Sequence, residues 1–315
     1  MKKILTSPSS FGQIDSKPFD LLLSKGYEIV NNPYGRKLTK DEVVNLAKDC
    51  IGIVAGVELY SKEVIDSLPN LKSISRVGVG MDSIDLNYAK SKNINVLNTP
   101  DGPTRSVAEF TLAMALTLIR KIPMADSNMK NNIWKKETGN LILNKTLGVI
   151  GLGRIGKTVS KLFKAIGLNI IGYDLYPDLE WAEENNINIL KKDDVISKAD
   201  ILTLHVPGNN NEPLISKKDF LKMKKDSILI NISRGGIVNE IDLFDALKNN
   251  LISGAAVDVY SEEPYNGDLI KLNNIILTPH IGSYAQEGKL KMEVDAVNNL
   301  LKNLEKKLLK NLELQ

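Results

Sequence analysis

The stretch 147–163, LGVIGLGRIGKTVSKLF, joins a short apolar run to a helical pattern through three closely spaced glycines. Gly151 permits a tight turn, Gly153 lets a pyrophosphate approach the backbone, and Gly156 lets the helix lie close to the strand. The start of the helix then offers free N–H groups to an anion. The spacing G-x-G-x-x-G is weak by itself. Between a strand and a helix it predicts a dinucleotide-binding α/β domain, against the alternative of a glycine-rich turn without a ligand.

An acid at the end of the next apolar run indicates which dinucleotide binds. Asp174 follows Gly156 at about the 20-residue separation at which a carboxylate accepts hydrogen bonds from the adenine ribose. A carboxylate there would repel a 2′-phosphate, and the residues that follow, 175–177, include no arginine. The pattern therefore favours NAD (NADH) over NADP. The alternative interpretation is a strand-end aspartate that caps a loop.

Apolar runs of similar length recur along the whole chain and alternate with helical patterns, which is typical of parallel sheets with helices on both faces. Candidate strands of a first series lie at 2–6, 27–31, 51–56, 73–78 and 94–98. Those of a second series lie at 147–151, 169–174, 201–207, 227–233, 254–260 and 274–280. The runs are nearly continuous in Ile, Leu and Val, as strands buried on both faces of a sheet require.

The chain has 315 residues, which is long enough for two domains. The predicted fold class is α/β, with two doubly wound parallel-sheet domains, a flavodoxin-like substrate domain and a Rossmann NAD-binding domain, and a cleft between them. A C-terminal helix is expected to pack on the first domain through an apolar stripe, which comprises Val294, Val297, Leu301, Leu304 and Leu308. The substrate domain is therefore predicted to be discontinuous, residues 1–99 plus 287–315, and the NAD-binding domain to be residues 100–286.

The segment 106–122, SVAEFTLAMALTLIRKI, is apolar on almost all sides of a predicted helix. Such a helix must be buried on more than one side. It could lie between domains or between subunits, and we favour subunits. We therefore expect a homodimer that forms through residues 106–122.

Composition excludes several classes of protein. Apolar residues make up 43% of the chain and charged residues 25%, which is typical of a packed core. The net charge is +3 with basic and acidic residues intermixed, and the basic run Lys302 to Lys310 is best explained as a solvated helix face, so no nucleic-acid partner is expected. Cys50 is the only cysteine, so neither an internal disulfide nor a thiolate metal cluster is expected, and no metal site is predicted.

The chain also lacks the patterns of targeting and membrane segments. The N-terminus MKKILTSPSS has too few apolar residues for a signal peptide. No stretch approaches the roughly 18 apolar residues of a membrane span. A cytoplasmic protein without membrane contact is the expectation.

Three short motifs lie at the ends of predicted strands in the second series: NISRGG (231–236), DVYSEEP (258–264) and TPHIG (278–282). Together with the glycine turn and Asp174, in this order, they resemble the D-isomer-specific 2-hydroxyacid dehydrogenase family, especially its phosphoglycerate dehydrogenase-like members. RVGVGMDSIDL (76–86) and NTPDGPTRSVAEF (98–110) resemble that family's substrate-side loop and its crossing into the cofactor domain. The resemblance implies NAD-dependent interconversion of a small 2-keto acid and a D-2-hydroxy acid.

The resemblance implies catalytic roles for three side chains. Arg234 matches the arginine that binds the substrate carboxylate and keto oxygen, Glu263 matches a glutamate that pairs with histidine, and His280 matches the acid/base. Imidazole readily donates and accepts protons near neutral pH, and a neighbouring carboxylate orients it. Taken singly, the three could be a surface salt bridge, a loop acid and a strand-end hydrogen bond. Their common position at the carboxyl ends of strands, where open α/β sheets bind ligands, favours a site.

The resemblance also implies the residues that bind the two ligands. Those implied for the cofactor are Gly151, Gly153, Arg154, Ile155, Gly156, Asp174, His205, Val206, Pro207, Ile232, Ser233, Asp258 and Gly282. Among them His205 lines the adenosine side and is not a catalyst, and Asp258 matches an acid near the nicotinamide amide. Val77 and Gly78 match backbone donors to the substrate carboxylate.

The chain departs from the family at three places. Relatives that act on phosphorylated substrates usually carry an arginine just after the third strand, where this chain reads VAGVELYS (54–61) and offers Glu58 and Tyr60. We therefore expect an unphosphorylated substrate, or a phosphate bound elsewhere, through Arg36 or Arg105. Tyr284 follows TPHIG, where smaller residues are commoner, and is expected to reshape the mouth of the site. Because the chain ends at Gln315, feedback through the C-terminal regulatory domain of longer relatives is not expected.

A second hypothesis comes from another functional class. Some relatives with this architecture are NAD(H)-sensing binding proteins of the corepressor type, which bind the dinucleotide with little turnover. The complete set Arg234, Glu263 and His280 favours the enzyme, although the sensing relatives can retain it. Turnover is the property that separates the two hypotheses.

Overall fold

The computed structural model describes residues 2–208 and 212–312. The chain forms two compact units: unit 1 is Met1–Pro103 with Tyr284–Gln315, and unit 2 is Thr104–Ser283. These boundaries lie a few residues from those expected at 99 and 287. Residues 100–103 stay with unit 1 because Gly102 packs closely on the last helix: a Cβ added there would lie 2.3 Å from Met292 Cγ.

The structure contains twelve strands within the described ranges. In chain order they are β1 (Lys2–Thr6), β2 (Tyr27–Asn31), β3 (Cys50–Ala55), β4 (Ser73–Arg76), β5 (Asn95–Leu97), β6 (Thr146–Ile150), β7 (Asn169–Tyr173), β8 (Asn188–Ile189), β9 (Ile201–Leu204), β10 (Ile228–Asn231), β11 (Gly254–Val257) and β12 (Ile275–Leu277). All eleven predicted strands are present, and most end earlier than predicted. The short β8 was missed because two residues form no recognisable pattern.

Twelve α-helices and one 3-10 helix (Asp268–Lys271) connect or follow the strands in the same described ranges. The α-helices are α1 (Lys17–Ser24), α2 (Lys40–Ala47), α3 (Lys62–Asp66), α4 (Leu86–Ser91), α5 (Gly102–Ile119), α6 (Ile122–Lys130), α7 (Arg154–Ala165), α8 (Leu179–Glu184), α9 (Lys192–Lys198), α10 (Lys217–Phe220), α11 (Glu240–Lys248) and α12 (Gln286–Leu312).

Unit 1 is built on a five-stranded parallel sheet with the order β2-β1-β3-β4-β5. Helix α12 packs on this sheet, and its side chains Val297, Leu301 and Leu304 are buried, as the apolar stripe predicted. The side chain of Leu308 and those of the basic run beyond Lys306 lie outside the described residues, as do residues 313–315. The order 2-1-3-4-5 is that of a flavodoxin-like doubly wound sheet.

Unit 2 is built on a seven-stranded parallel sheet with the order β12-β11-β10-β9-β6-β7-β8. The chain begins this sheet in the middle, at β6, and winds first to one side and then to the other. Two apolar clusters cover the two faces of the sheet, so its central strands are buried throughout. The loop after β6 therefore lies at the switch point of a doubly wound sheet, where ligands bind.

The apolar segment predicted as one helix is divided between two. Helix α5 begins at Gly102 and ends at Ile119, and α6 begins at Ile122 after Lys121 adopts a left-handed φ of 53°. The expected helix 106–122 is thus wrong at both ends. No helix in the described ranges is both long enough and apolar enough to span a bilayer.

Candidate active site

In the turn after β6, close backbone contacts require glycine at two of the three positions, and the third position faces open space. Gly151 has a φ of 96°, and a Cβ on it would lie 2.4 Å from the carbonyl oxygen of His205. A Cβ on Gly156 would lie 1.9 Å from the carbonyl oxygen of Gly151, whereas a Cβ on Gly153 would meet nothing within 4 Å. The fold itself requires Gly151 and Gly156. Gly153 faces open space at the start of α7, where a pyrophosphate can approach the backbone.

Asp174 follows β7 and is fixed beside this turn. Its Oδ2 accepts a hydrogen bond from the backbone N–H of Leu152 at 2.7 Å, and its Oδ1 accepts one from that of Tyr176 at 2.9 Å. Asp174 therefore caps the two loops, as its alternative interpretation held. Each carboxylate oxygen retains a lone pair for a ribose hydroxyl, so the residue also fits the dinucleotide.

His205, just after β9, is a neutral residue that lines the turn. Its Nε2 lies 2.9 Å from Thr203 Oγ1, and its buried Nδ1 has no partner within residues 2–208 and 212–312. Burial lowers the pKa of His205 to about 3, so the ring is a neutral imidazole and not an imidazolium at neutral pH. Val206 packs against the Gly151 turn, and Pro207 is exposed beyond it.

Asp258 organises the loop that carries the catalytic candidate. This buried carboxylate accepts hydrogen bonds from Thr278 Oγ1 at 2.6 Å and from the backbone N–H groups of Ile281 and Gly282, each at 2.8 Å. A Cβ on Gly282 would lie 2.6 Å from Ile232 Cγ2, so glycine is required there. Asp258 thus fixes the segment on both sides of His280. Sequence reasoning did not foresee this role, because the three donors lie on a different strand end.

His280 and Glu263 form a pair at the carboxyl edge of the unit 2 sheet. His280 Nδ1 lies 2.9 and 3.1 Å from the two oxygens of Glu263, and the Tyr260 backbone N–H donates to Glu263 Oε1 at 3.1 Å. His280 has a left-handed φ of 57°, which turns its backbone out of the extended conformation of β12. The side chain of His280 is 46% exposed and that of Glu263 38%, so a ligand can reach the pair. With Nδ1 directed to the carboxylate, Nε2 is the atom left to exchange a proton.

The charge state of Glu263 follows from its surroundings. Burial raises the pKa of this carboxyl, but the hydrogen bond and charge of His280, the Tyr260 N–H and the charge of Arg234 outweigh it. The pKa of Glu263 therefore lies below its ordinary value, and the residue is a carboxylate at neutral pH.

Arg234 follows β10 and lies close enough to Glu263 for its charge to act on that carboxylate. Its Nη1 donates to the carbonyl oxygen of Ser233 at 2.7 Å. A Cβ on Gly235 would lie 1.8 Å from the carbonyl oxygen of Tyr260, so the loops after β10 and β11 touch through their backbones. Ile232 and Ser233 are buried beneath this contact. Gly235 thus allows the close loop contact that places Arg234 near the Glu263–His280 pair.

In unit 1 the backbone N–H groups of Val77 and Gly78, which were expected to bind the substrate carboxylate, already donate hydrogen bonds within the unit. The N–H of Val77 already donates to the carbonyl oxygen of Ala55 at 2.9 Å, and that of Gly78 donates to Thr99 Oγ1 at 2.7 Å. The assignment of Val77 and Gly78 as substrate donors is therefore wrong for these atoms, because both have acceptors within unit 1. The next two N–H groups, those of Val79 and Gly80, donate to no other described residue.

The RVGVG motif also supplies a cation that sequence reasoning missed. Arg76 ends β4, and a Cβ on Gly78 would lie 2.7 Å from its Nη1, so the guanidinium lies over the motif backbone. Arg36 and Arg105, expected as alternative phosphate ligands, are both engaged: Arg36 makes two hydrogen bonds to Glu42 at 2.7 and 2.8 Å, and Arg105 pairs with Glu109. The position of Arg76 in a conspicuous motif was the signal that could have identified it.

Comparison with known proteins identifies the family. Residues 112–282 match the family model described as D-isomer specific 2-hydroxyacid dehydrogenase, NAD binding domain. The chain belongs to this family. Unit 2 is its NAD-binding domain, and NAD is the cofactor that the glycine turn and Asp174 fit.

Relatives of the family cover the rest of the chain. The D-3-phosphoglycerate dehydrogenase of Archaeoglobus fulgidus is 41% identical over 296 residues, which are 92% of this chain and 55% of that protein. The chain thus spans about half the length of the curated relatives it matches. Among solved structures, a protein from Thermus thermophilus matches with a TM-score of 0.88 at 29% identity, covering 96% of this chain and 97% of its own. The D-lactate dehydrogenase of Lactobacillus jensenii, solved with NAD+, matches with a TM-score of 0.77 at 30% identity and covers 96% of each chain.

Proposed function

We propose that this chain is an NAD-dependent oxidoreductase that interconverts a small 2-keto acid and a D-2-hydroxy acid, with His280 as the acid/base. One observation carries the proposal: the Nδ1 of an accessible histidine lies 2.9 Å from a carboxylate, with an arginine beside the pair, on the edge of an NAD-binding sheet. Family membership supports the same reaction type. The relatives matched here include enzymes named D-3-phosphoglycerate dehydrogenase, pyruvate reductase and D-lactate dehydrogenase.

Each side chain has a task in this reaction. The nicotinamide, when bound, supplies or accepts the hydride. Arg234 binds the substrate carboxylate and keto oxygen, since a guanidinium can offer parallel hydrogen bonds and balance negative charge on that oxygen. Protonated His280 donates a proton from Nε2 to the same oxygen and takes it back in the reverse direction. Glu263 holds the ring in place through Nδ1.

The cofactor residues follow from the same proposal. Gly153 with the start of α7 receives the pyrophosphate, and Asp174 receives the adenine ribose. The remaining proposed contacts are Gly151, Arg154, Ile155, Gly156, His205, Val206, Pro207, Ile232, Ser233, Asp258 and Gly282. For the substrate carboxylate we replace Val77 and Gly78 by the backbone N–H groups of Val79 and Gly80, because the former pair already has acceptors.

We further propose that the protein is a homodimer. Unit 2 exposes apolar side chains on α5 and beyond it: Leu116 is 37% exposed, Ile122 51%, Trp134 81% and Leu141 73%. Large apolar side chains exposed in one part of the chain support an interface there. The interface would extend the predicted segment 106–122 toward Leu141. Light scattering should give a dimer for the wild type and a monomer for Trp134→Glu. A cytoplasmic location and the absence of a nucleic-acid partner stay predictions.

The test of the proposed function is NADH oxidation followed at 340 nm with glyoxylate, pyruvate, hydroxypyruvate and 3-phosphohydroxypyruvate, using wild type and His280→Ala. We expect turnover by the wild type and a loss of about 100- to 10,000-fold in kcat in the variant, while NADH still binds with unchanged affinity by fluorescence. Tight NADH binding without turnover of any acid by the wild type would instead favour an NAD(H)-sensing protein.

A further inference from the structure

The carboxyl edge of the unit 1 sheet contains a second cluster of polar residues. Strands β1 and β3 are neighbours there although they are not consecutive, so their ends form the switch point of this doubly wound sheet. Ligands of such sheets bind at this point. Ser7 directly follows β1, and Gly56 and Glu58 follow β3.

These residues make a compact hydrogen-bond network. Ser7 Oγ donates to Glu58 Oε2 at 2.6 Å, and the backbone N–H of Gly56 lies within hydrogen-bonding distance of both, 3.0 Å from Glu58 Oε2 and 2.9 Å from Ser7 Oγ. The hydroxyl of Tyr60 lies 3.2 Å from Ser7 Oγ. Since Ser7 gives its proton to Glu58, Tyr60 and Gly56 are the groups that donate to Ser7.

The network is closed to solvent. Glu58 is 1% exposed, and Ser7 and Tyr60 are both 0% exposed. Burial is the largest cause that raises the pKa of Tyr60, and the charge of Glu58 raises it further, so this hydroxyl keeps its proton and remains a donor. A buried carboxylate is costly unless donors surround it. Here the Gly56 N–H and the Ser7 hydroxyl donate to the Glu58 carboxylate, and the Tyr60 hydroxyl donates to Ser7. This arrangement of donors is that of an anion site.

A cation completes the surroundings of this site. Arg76 ends the neighbouring strand β4, and its charge acts on the same Tyr60 hydroxyl, in the direction opposite to that of Glu58. The edge of unit 1 therefore holds a positive charge, backbone and hydroxyl donors, and a negative charge that belongs to the chain itself. No external anion is needed to balance it.

We propose that Glu58 is a resident anion that determines substrate specificity. Its carboxylate occupies the donors at the switch point of unit 1, so a substrate tail directed to this edge must be uncharged, such as hydrogen, methyl or hydroxymethyl. A phosphorylated or carboxylated tail brought to this edge is rejected, because the Glu58 charge repels it and the donors that could bind it are already used. This inference rests on the proposed 2-keto acid reduction and names its substrate class as unphosphorylated acids.

The test compares kcat/KM for hydroxypyruvate and for 3-phosphohydroxypyruvate, with NADH, in wild type, Glu58→Ala and Glu58→Gln. Glu63→Ala is the matched control, since Glu63 is an exposed carboxylate five residues away on α3. We expect the wild type to prefer hydroxypyruvate. Glu58→Ala removes one like charge and frees the donors. It should therefore raise the ratio of kcat/KM for 3-phosphohydroxypyruvate to kcat/KM for hydroxypyruvate by about 10-fold or more. Glu63→Ala should leave this ratio unchanged. Glu58→Gln preserves the side-chain shape and should raise the ratio even if the alanine variant fails to fold.

A second measurement separates this inference from the proposed function. Inorganic phosphate, titrated against chloride at constant ionic strength, should raise the Tm of Glu58→Ala or Glu58→Gln and leave that of the wild type unchanged. This readout needs no turnover, so it applies even if the wild type reduces no acid. A wild type that prefers the phosphorylated acid, or variants with unchanged ratio and no phosphate-dependent Tm, would overturn the inference.

Discussion

The carboxyl edges of the two sheets each carry a glutamate that is hydrogen-bonded to another polar side chain, but one pair is partly exposed and the other is buried. In unit 2, Glu263 and His280 are paired but partly exposed, at 38% and 46%, and His280 Nε2 is left to exchange a proton. In unit 1, Ser7 and Glu58 are buried and satisfy each other. Both edges are where doubly wound sheets bind ligands. Position at a strand end therefore marks a site, whereas exposure and remaining hydrogen-bonding capacity indicate whether the site carries out chemistry or selects the substrate.

Among the substitutions at the unit 2 edge, that of Arg234 should lower kcat/KM the most. Arg234→Lys keeps the charge but loses the parallel hydrogen bonds, so kcat/KM for the keto acid should fall about 100- to 1,000-fold, while NADH affinity stays the same. Steady-state kinetics measure this. Arg105→Lys, on the exposed surface of α5, is the control and should behave as wild type. Equal, small losses in both variants would contradict a substrate-binding arginine.

Glu263→Gln should lower kcat on the order of 100-fold, because the neutral amide orients the imidazole ring less well than the carboxylate does. The pKa of Glu263 lies below its ordinary value, so the carboxylate is present from pH 5 to 8 and the loss should be similar throughout. Its contribution to stability is likewise present in this range and is lost only as pH falls through the folded-state pKa. If wild type and variant converge near pH 5, the carboxylate is already protonated there and the account of the pair fails.

Substitutions at two glycines of the cofactor turn should have different effects, one on NADH affinity and the other on the stability of the fold. Gly153→Ala adds a methyl group into open space, so the fold should be unaffected while NADH affinity falls about 10-fold. Gly156→Ala forces a Cβ to 1.9 Å from a carbonyl oxygen and should destabilise unit 2 by about 1–3 kcal/mol. Thermal unfolding and NADH fluorescence titration distinguish the two. The opposite pattern would mean that Gly153 does not face the dinucleotide.

The polar side chains at the two edges should also differ in how much they contribute to stability. Ser7→Ala removes a donor from the buried Glu58 carboxylate and should cost about 1–3 kcal/mol of stability. His280→Ala removes a side chain that is 46% exposed and should change stability by no more than about 0.5 kcal/mol. Chemical denaturation of both variants measures this contrast. Equal destabilisation would show that the two edges do not differ in the proposed way.

Most of the fold was predictable because buried parallel strands are continuous apolar runs that local sequence reveals. The site motifs were identified by their resemblance to a known family, and their common position was predictable because Arg234, Glu263 and His280 each follow such a run. Details that depend on distant partners were not. Val77 was assigned as a free donor because its acceptor, Ala55, comes from another strand.

The unit 1 network illustrates the same limit of sequence reasoning. The sequence shows that Glu58 follows the third strand, but not that Ser7, from the loop after β1, donates a hydrogen bond to it. The break between α5 and α6 was missed because it depends on the left-handed backbone of Lys121, a residue with no intrinsic preference for that conformation.

A double-mutant cycle on Glu263 and His280 determines whether the pair at the unit 2 edge handles the proton as one unit. The measurement is kcat for wild type, Glu263→Gln, His280→Ala and the double variant with the best keto acid and saturating NADH. Because Glu263 acts only through the imidazole, the double variant should match His280→Ala within about twofold. If Glu263→Gln lowers kcat as strongly in the absence of His280 as in its presence, the two residues act independently and the claim is wrong.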